Sequence, residues 1–198
     1  MHVDIPATLR WLESSGGPFV VVAENAKARW HGAYRFTADA NAAEVRLPDG
    51  GGLIAVPDGV HSDTDYARAC AVKKLCDAMV SDAGHVLVLG DEPAMTTWLP
   101  ASDAPGGSFV RWIFADGDDA VKMHLRDIPV DGWQPCCELV VESSPLRLFE
   151  AAQAGALVND GESLPVALST GRYDVSSLEL RPDVETHLRL HRLVPRSG

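Results

Sequence analysis

The stretch "VLVLGDEPAMTTWLP", Val86 to Pro100, decides how the middle of this chain is interpreted. Its apolar opening is typical of a buried strand. Gly90 and Asp91 permit a tight turn, and Pro93 fixes φ within it. The two threonines that follow favour β structure and are expected to pair back on the first strand. The sequence therefore predicts a strand, a proline-fixed turn and a returning strand.

Two adjacent carboxylates, Asp91 and Glu92, also make this stretch the best candidate for an enzymatic site. At a strand end they are placed to act as an acid and a base, or to bind magnesium with Thr96 or Thr97 nearby. Such a pair needs a further Lys, His or carboxylate, and the neighbouring sequence supplies none. We favour the turn and predict no catalytic residue; a small hydrolase or metal-dependent enzyme using Asp91 and Glu92 is the alternative.

Composition and charge indicate which kinds of molecule this protein binds. The chain has 198 residues, 46% of them hydrophobic, which is ordinary for a globular protein. Its formal net charge of −11 disfavours nucleic acid and favours a basic protein partner. The start "MHVDIPATLRWLE" is too polar for a signal peptide, and no apolar run approaches the roughly 20 residues of a membrane span. We expect a cytoplasmic protein that makes no membrane contact.

Cysteine and histidine spacing predicts no metal and no cofactor. The four cysteines match neither a C-x-x-C site nor a disulfide framework, so we interpret them as small apolar side chains. His187 and His191 share one face of a strand, but the other face is the apolar one, so an exposed polar face is predicted. The stretch from Asp116 to Asp119 opens like a calcium loop but lacks its glycine and further ligands, and predicts a turn that caps a helix through Asp118 or Asp119.

The pattern of the first 130 residues predicts strands around one helix. Leu9–Glu13 and Pro18–Glu24 flank "SSGG" and predict a hairpin whose second strand is apolar on both faces, hence central. Ser62–Val80 has the clearest helical period, and the side chain of Ser62, Asp63 or Thr64 is expected to cap its first turn. A strand over Ser108–Asp116 and a short helix over Asp118–Asp127 follow.

From Cys136 onward the chain consists of short strands between Pro, Gly, Asn and Asp. We predict an α+β fold with a mixed or antiparallel sheet and one main helix, followed by a mostly β C-terminal segment. The organisation predicted is an α+β unit over residues 1–130 and a β segment over 131–198, which is either a small domain or a set of strands that complete the first sheet.

Several short motifs occur in an order that resembles the immunity protein 21 family of bacterial polymorphic toxin systems. They are "WLESSGGPFVVV", the Trp-x-Gly of "RWHG", "DYARAC", "LVLGDEPAMTTWLP" and "FVRWIFAD". The similarity covers about Trp11 to Asp116, with a weaker echo in "GRYDV" and "RPDVETHLRLHRL". The resemblance implies an α+β cytoplasmic antidote that binds and neutralises a cognate toxin without catalysis of its own.

An acidic inhibitor suits a toxin with a basic groove, such as a nuclease, because the opposite charges speed association. The candidate contacts are the acidic turns, and Trp30 or Trp98 as aromatic anchors if they are exposed; the acidic residues are Asp91, Glu92, Asp116, Asp118 and Asp119. The remaining alternative is a ligand-binding or homodimeric structural module, which would present a deep apolar pocket or a large apolar patch.

Overall fold

Two antiparallel five-stranded sheets pack face to face in the computed structural model, which describes residues 3–37, 45–46, 52–55, 64–90 and 94–196. The strands are β1 (Phe19–Ala23), β2 (Tyr34–Thr37), β3 (Val45–Arg46), β4 (Gly52–Ala55), β5 (Cys76–Ser81), β6 (Gly84–Leu89), β7 (Met95–Pro100), β8 (Gly107–Phe114), β9 (Gln134–Val141), β10 (Leu146–Glu150), β11 (Ser163–Val166), β12 (Gly171–Leu180) and β13 (His187–Pro195). The helices are a 3₁₀ helix (Glu24–Arg29), α1 (Asp65–Cys70) and α2 (Asp118–Leu125). The predicted α+β, mostly β fold is confirmed.

The strand order mixes early and late parts of the chain. The first sheet runs β11-β10-β1-β6-β5 and the second runs β7-β8-β13-β12-β9, while β2, β4 and β3 form a small third sheet. Each large sheet therefore contains strands from both sides of residue 130. The division of the chain at that residue stays a prediction.

The core between the two large sheets follows from the alternation of side chains along each strand. Phe19 and Val21 of β1 point to the second sheet, which contributes Phe109, Tyr173 and Val175 to the same cluster. All five are at most 2% exposed. Burying each large apolar side chain stabilises the fold by roughly 1.5–3 kcal/mol, which makes this layer the main source of stability.

The outer faces of both sheets are covered as well. Val20 and Val22 of β1 pack with Trp30, which follows the 3₁₀ helix, and with Ala69 of α1. On the second sheet, α2 and the N-terminal segment cover the outer face through Val121, Leu125, Leu9 and further apolar residues. This explains why β1 is apolar on both faces, and its central position confirms the prediction from sequence.

The long helix predicted over Ser62–Val80 is wrong. α1 is six residues long, and its Thr64 cap is confirmed because the hydroxyl accepts a hydrogen bond from the amide of Ala67, at 3.1 Å. The chain then forms β5, in which Cys76 faces the core between the sheets and Met79 the outer face. Residues three apart lie on one side of a helix but on opposite sides of a strand, so a strand with both faces covered imitates the helical period.

Two predicted strand pairings are also wrong. Leu9–Glu13 forms no hairpin with β1; instead Leu12 makes an isolated bridge with Thr96 of β7. β7 does not return to β6, because it pairs with β8 in the second sheet while β6 lies in the first. The stretch Val86–Pro100 therefore carries the chain from one sheet to the other. The turn residues 91–93 lie outside the described part of the chain.

Candidate partner-binding surface

The predicted contact residues fall into three different environments. Asp91 and Glu92 lie outside the described residues, so their proposed role stays a prediction. Trp30 is 0% exposed and donates its indole N–H to the carbonyl oxygen of Ala151 at 3.0 Å, so it does not meet the condition of exposure set for an anchor. Trp98 is half-buried and packs on Phe109, with 4.6 Å between ring centroids.

The carboxylates at the junction of β8 and α2 differ in their exposure and in their hydrogen bonds. Asp116 and Asp119 are exposed, whereas Asp118 accepts a hydrogen bond from the indole N–H of Trp11 at 2.6 Å and pairs with Lys122 at 3.1 Å. Desolvation alone would raise the pKa of Asp118, but the bonds from Trp11 and Lys122 outweigh it and lower this pKa. The short helix is confirmed, but the predicted side-chain cap is wrong: Gly117 precedes the helix and no side chain caps it.

Two contacts bring the loop between β12 and β13, and the start of β13, to this junction. The His124 side chain of α2 lies 3.2 Å from a carboxylate oxygen of Asp183. Phe114, the last residue of β8, meets the ring of His187 edge-on, with centroids 5.5 Å apart. The loop, the end of β8 and α2 therefore form one continuous surface at this end of the second sheet.

This surface combines exposed apolar side chains with carboxylates. Phe114, Met123 and Val184 are 47%, 55% and 93% exposed. The exposed acids of the same segments are Asp116, Asp119, Asp183 and Glu185. We call these seven residues the acidic end surface. A mixture of exposed apolar side chains and charged groups is typical of protein-binding surfaces, where aromatic and Met residues supply contact area and charges set orientation.

The prediction that His187 and His191 lie on an exposed face is wrong. They are 6% and 0% exposed, because β13 is central in the second sheet and both of its faces are covered. Burial is tolerated because the polar groups pair with each other. Glu179 of β12 accepts hydrogen bonds from His187 and Arg189, and these bonds lower the pKa of Glu179 although desolvation opposes them.

His191 belongs to a buried polar cluster between the sheets. Its Nδ1 is hydrogen-bonded to the hydroxyl of Ser177 at 2.7 Å, and that hydroxyl also lies 2.9 Å from Sγ of Cys136 and 3.5 Å from Sγ of Cys76. Burial raises the pKa of Cys136 to about 11, so this thiol stays protonated at neutral pH. In the segments that the structure describes, no group of three or more His, Cys, Asp or Glu side chains is arranged to hold a metal ion.

Sequence reasoning found neither this cluster nor the loop around Asp183. Ser177, Glu179 and Arg189 alternate with leucines in β12 and β13, which is also the pattern of an exposed strand face. Neither residue type nor spacing distinguishes a buried polar face of a strand from an exposed one. The distinction lies in what packs against that face.

His191 makes the stability of the protein depend on pH. Burial first, and then the charges of Arg111 and Arg189, hold the pKa of His191 well below 6.5 in the folded state. Its stabilising contribution is therefore complete above about pH 6.5, the pKa of an unfolded histidine, and is lost as the pH falls towards the folded pKa. We expect the free energy of unfolding to decrease by up to about 1.4 kcal/mol per pH unit below pH 6.5 from this residue alone.

The measurement is urea unfolding between pH 7.5 and 5 for the wild type and for His191→Asn. Asparagine keeps a polar atom towards Ser177 but does not titrate, so other ionisable groups cancel in the comparison. The variant is expected to show a shallower dependence on pH than the wild type below pH 6.5. Parallel pH curves for the two proteins would contradict a neutral buried His191.

The fold and this surface define a β sandwich with a candidate protein-binding end. The model of the family described as Immunity protein 21 matches residues 10–186, which is most of the chain. The chain therefore belongs to the Immunity protein 21 family, as the ordered motifs predict, and the family indicates an immunity protein against a toxin. No curated protein and no solved structure matches the chain. None of the helices in the described ranges is long and apolar enough to cross a membrane.

Proposed function

We propose that this protein is a cytoplasmic immunity protein that binds and neutralises a cognate toxin encoded beside it, as part of a polymorphic toxin system. It acts by occupying the toxin and catalyses no reaction. Membership of the Immunity protein 21 family supports the class of function. The observation that carries the mode of action is the acidic end surface, where apolar side chains and carboxylates are exposed together.

Charge favours a toxin with a basic groove, such as a nuclease. The net charge of −11 and the exposed Asp116, Asp119, Asp183 and Glu185 give this end of the molecule a negative field. Opposite fields raise association rates by roughly 10- to 1,000-fold at low ionic strength. A rapid encounter suits an antidote, which must bind the toxin before the toxin reaches its substrate.

The exposed apolar side chains supply contact area after the encounter. Phe114 and Met123 lie on rigid elements, a strand end and a helix, so little conformational entropy is lost when they are covered. Val184 sits in the adjoining loop, which Asp183 fixes by accepting a hydrogen bond from the amide of Glu185 at 3.0 Å. The surface is thus held in shape before a partner arrives.

The test is a toxicity-rescue assay together with a pull-down. The product of the neighbouring toxin gene is expressed in cells with and without this protein, and the purified pair is examined by size-exclusion chromatography. We expect restored growth and a stable complex. A neighbouring toxin that is neither bound nor neutralised would refute the proposal. Rescue with no detectable complex would refute neutralisation by binding.

A further inference from the structure

Arg192 of β13 is a half-buried cation without a counter-ion among the described residues. Its guanidinium carbon lies 4.2 Å from the ring centroid of Trp133. Its Nε is buried and has no hydrogen-bond partner in the described part of the chain. A half-buried cation without a counter-ion is unfavourable, so a site of this kind favours an anionic ligand at the accessible end of the guanidinium.

Two other arginines of the second sheet are paired with carboxylates. Arg189 donates to Glu179, and Arg172 donates to Glu138 at 2.5 Å. The chain has 28 acidic and 17 basic residues, so acidic partners are plentiful. Burial lowers the pKa of Arg192, and no acidic neighbour is among the causes that act on it. The environment of Arg192 is therefore open to an anion from outside the chain.

A cavity lies directly beside this guanidinium. It has a volume of about 60 Å³ and adjoins a groove of about 470 Å³, with which it shares Val3, Ile128 and Val130. The residues that the two share are apolar, and the charged residues Arg126 and Asp127 also line the larger groove; the remaining lining residues are Ile5, Ser108, Leu125, Pro129 and Trp133. The end of the groove at Arg192 is thus cationic, and the part next to it, which the two cavities share, is apolar.

We propose that this groove binds a peptide segment of a partner protein in which an apolar residue adjoins a carboxylate. The carboxylate accepts two parallel hydrogen bonds from the two terminal nitrogens of Arg192, a geometry that the planar guanidinium matches. The apolar residue lies on Val3, Ile128 and Val130. A peptide is favoured over a free small acid because the groove is open, with Val130 86% exposed, whereas small-molecule sites enclose most of their ligand.

The Arg192 end of this groove is separate from the acidic end surface, whereas the other end begins at Leu125, two residues after Met123. His187 marks that end of β13, and Arg192 lies five residues along the strand, roughly 17 Å away at the usual rise per residue. The two surfaces also prefer opposite charges. The inference therefore does not depend on the proposed toxin, and the experiments that test the two are independent.

The test is an NMR titration of the ¹⁵N-labelled full chain, observing the indole N–H of Trp133 and the Nε–H of Arg192. The probes are N-acetyl-isoleucyl-leucine with a free carboxylate, the same dipeptide as its amide, acetate, and inorganic phosphate. We expect the acid to shift both signals and to bind at least tenfold more tightly than the amide, acetate or phosphate. Arg192→Gln is expected to weaken binding of the acid at least tenfold. The control is Arg181→Gln, at an exposed arginine in the loop between β12 and β13, which is expected to change the affinity for the acid less than twofold.

Several outcomes would overturn the proposal. Equal binding of acid and amide, or an unchanged affinity in Arg192→Gln, removes the role of the carboxylate. If acetate binds as tightly as the dipeptide acid, the groove is a site for small acids. If phosphate binds more tightly than the dipeptide acid, it is a phosphate site. No shift with any probe also overturns it. If circular dichroism shows that Arg192→Gln does not fold, Arg192→Lys replaces it, because lysine keeps the charge but lacks the planar guanidinium. This variant is expected to weaken binding of the acid by a similar factor.

Discussion

Replacing Trp30 by alanine is expected to lower the free energy of unfolding by about 3–5 kcal/mol, the range for removing a large aromatic side chain from a core. Trp30 is fully buried among Val20, Val22 and Ala69, where it joins the cover of the first sheet to the sheet itself. The loss includes the hydrogen bond from its indole N–H to Ala151. Urea unfolding followed by far-UV circular dichroism measures the change.

Trp30→Phe is the matched control for this prediction. Phenylalanine fills much of the same space but lacks the indole N–H, so we expect a smaller loss of about 1–3 kcal/mol from the unsatisfied carbonyl and the missing volume. Protection against the toxin should persist in this variant wherever it remains folded. A loss of less than about 1 kcal/mol for Trp30→Ala would show that the residue is not part of the core.

Reversing three charges of the acidic end surface is expected to slow association with the toxin by roughly 10- to 1,000-fold at low salt. The variant is Asp116→Lys, Asp119→Lys and Glu185→Lys, all exposed positions. Each change adds two positive charges, so the net charge moves from −11 to −5. Stopped-flow or surface-plasmon measurements across a range of ionic strength give the rate, and the dependence of the rate on salt should flatten.

The control makes the same change in net charge elsewhere on the surface. Asp82→Lys, Asp103→Lys and Glu142→Lys also lie at exposed positions and also bring the net charge to −5. Because local charges dominate steering, this variant should lose far less than the first. Equal slowing in both variants would mean that the total charge, and not this surface, directs the toxin.

Part of the structure could be predicted from local patterns in the sequence. The β1 stretch "FVVVA" is apolar throughout, which indicates a strand covered on both faces, and the structure places it centrally in the first sheet. The short helix after Asp116 and the Thr64 cap also follow from residues close in the chain. In each case the deciding interactions span only a few residues, so the sequence contains them directly.

Less of the candidate site could be predicted from local sequence patterns. Asp116 and Asp119 were identified from the sequence, and their exposure agrees with a role in binding. Asp183 and Val184 were missed, because their loop joins that surface through the contact of His124 with Asp183, 59 residues further along the chain. Met123 was missed although it lies on the predicted helix, because an apolar residue of a short helix is normally expected to be buried. Exposure of an apolar residue is a property of the packed molecule and has no local signal.

By itself, the sequence determined the family, the acidic charge and the strand-rich character of this protein, since ordered motifs and composition need no knowledge of what packs where. Only the tertiary structure decided that Val86–Pro100 crosses between two sheets and that Ser62–Val80 contains a strand. It alone decided that His187 and His191 are buried. For the strand and the histidines the physical reason is the same: a strand in a sandwich with both outer faces covered has no solvent side, so the alternation that normally reports exposure no longer does so. For the crossing, the choice between pairing back on β6 and pairing with β8 depends on which neighbour the packed molecule provides.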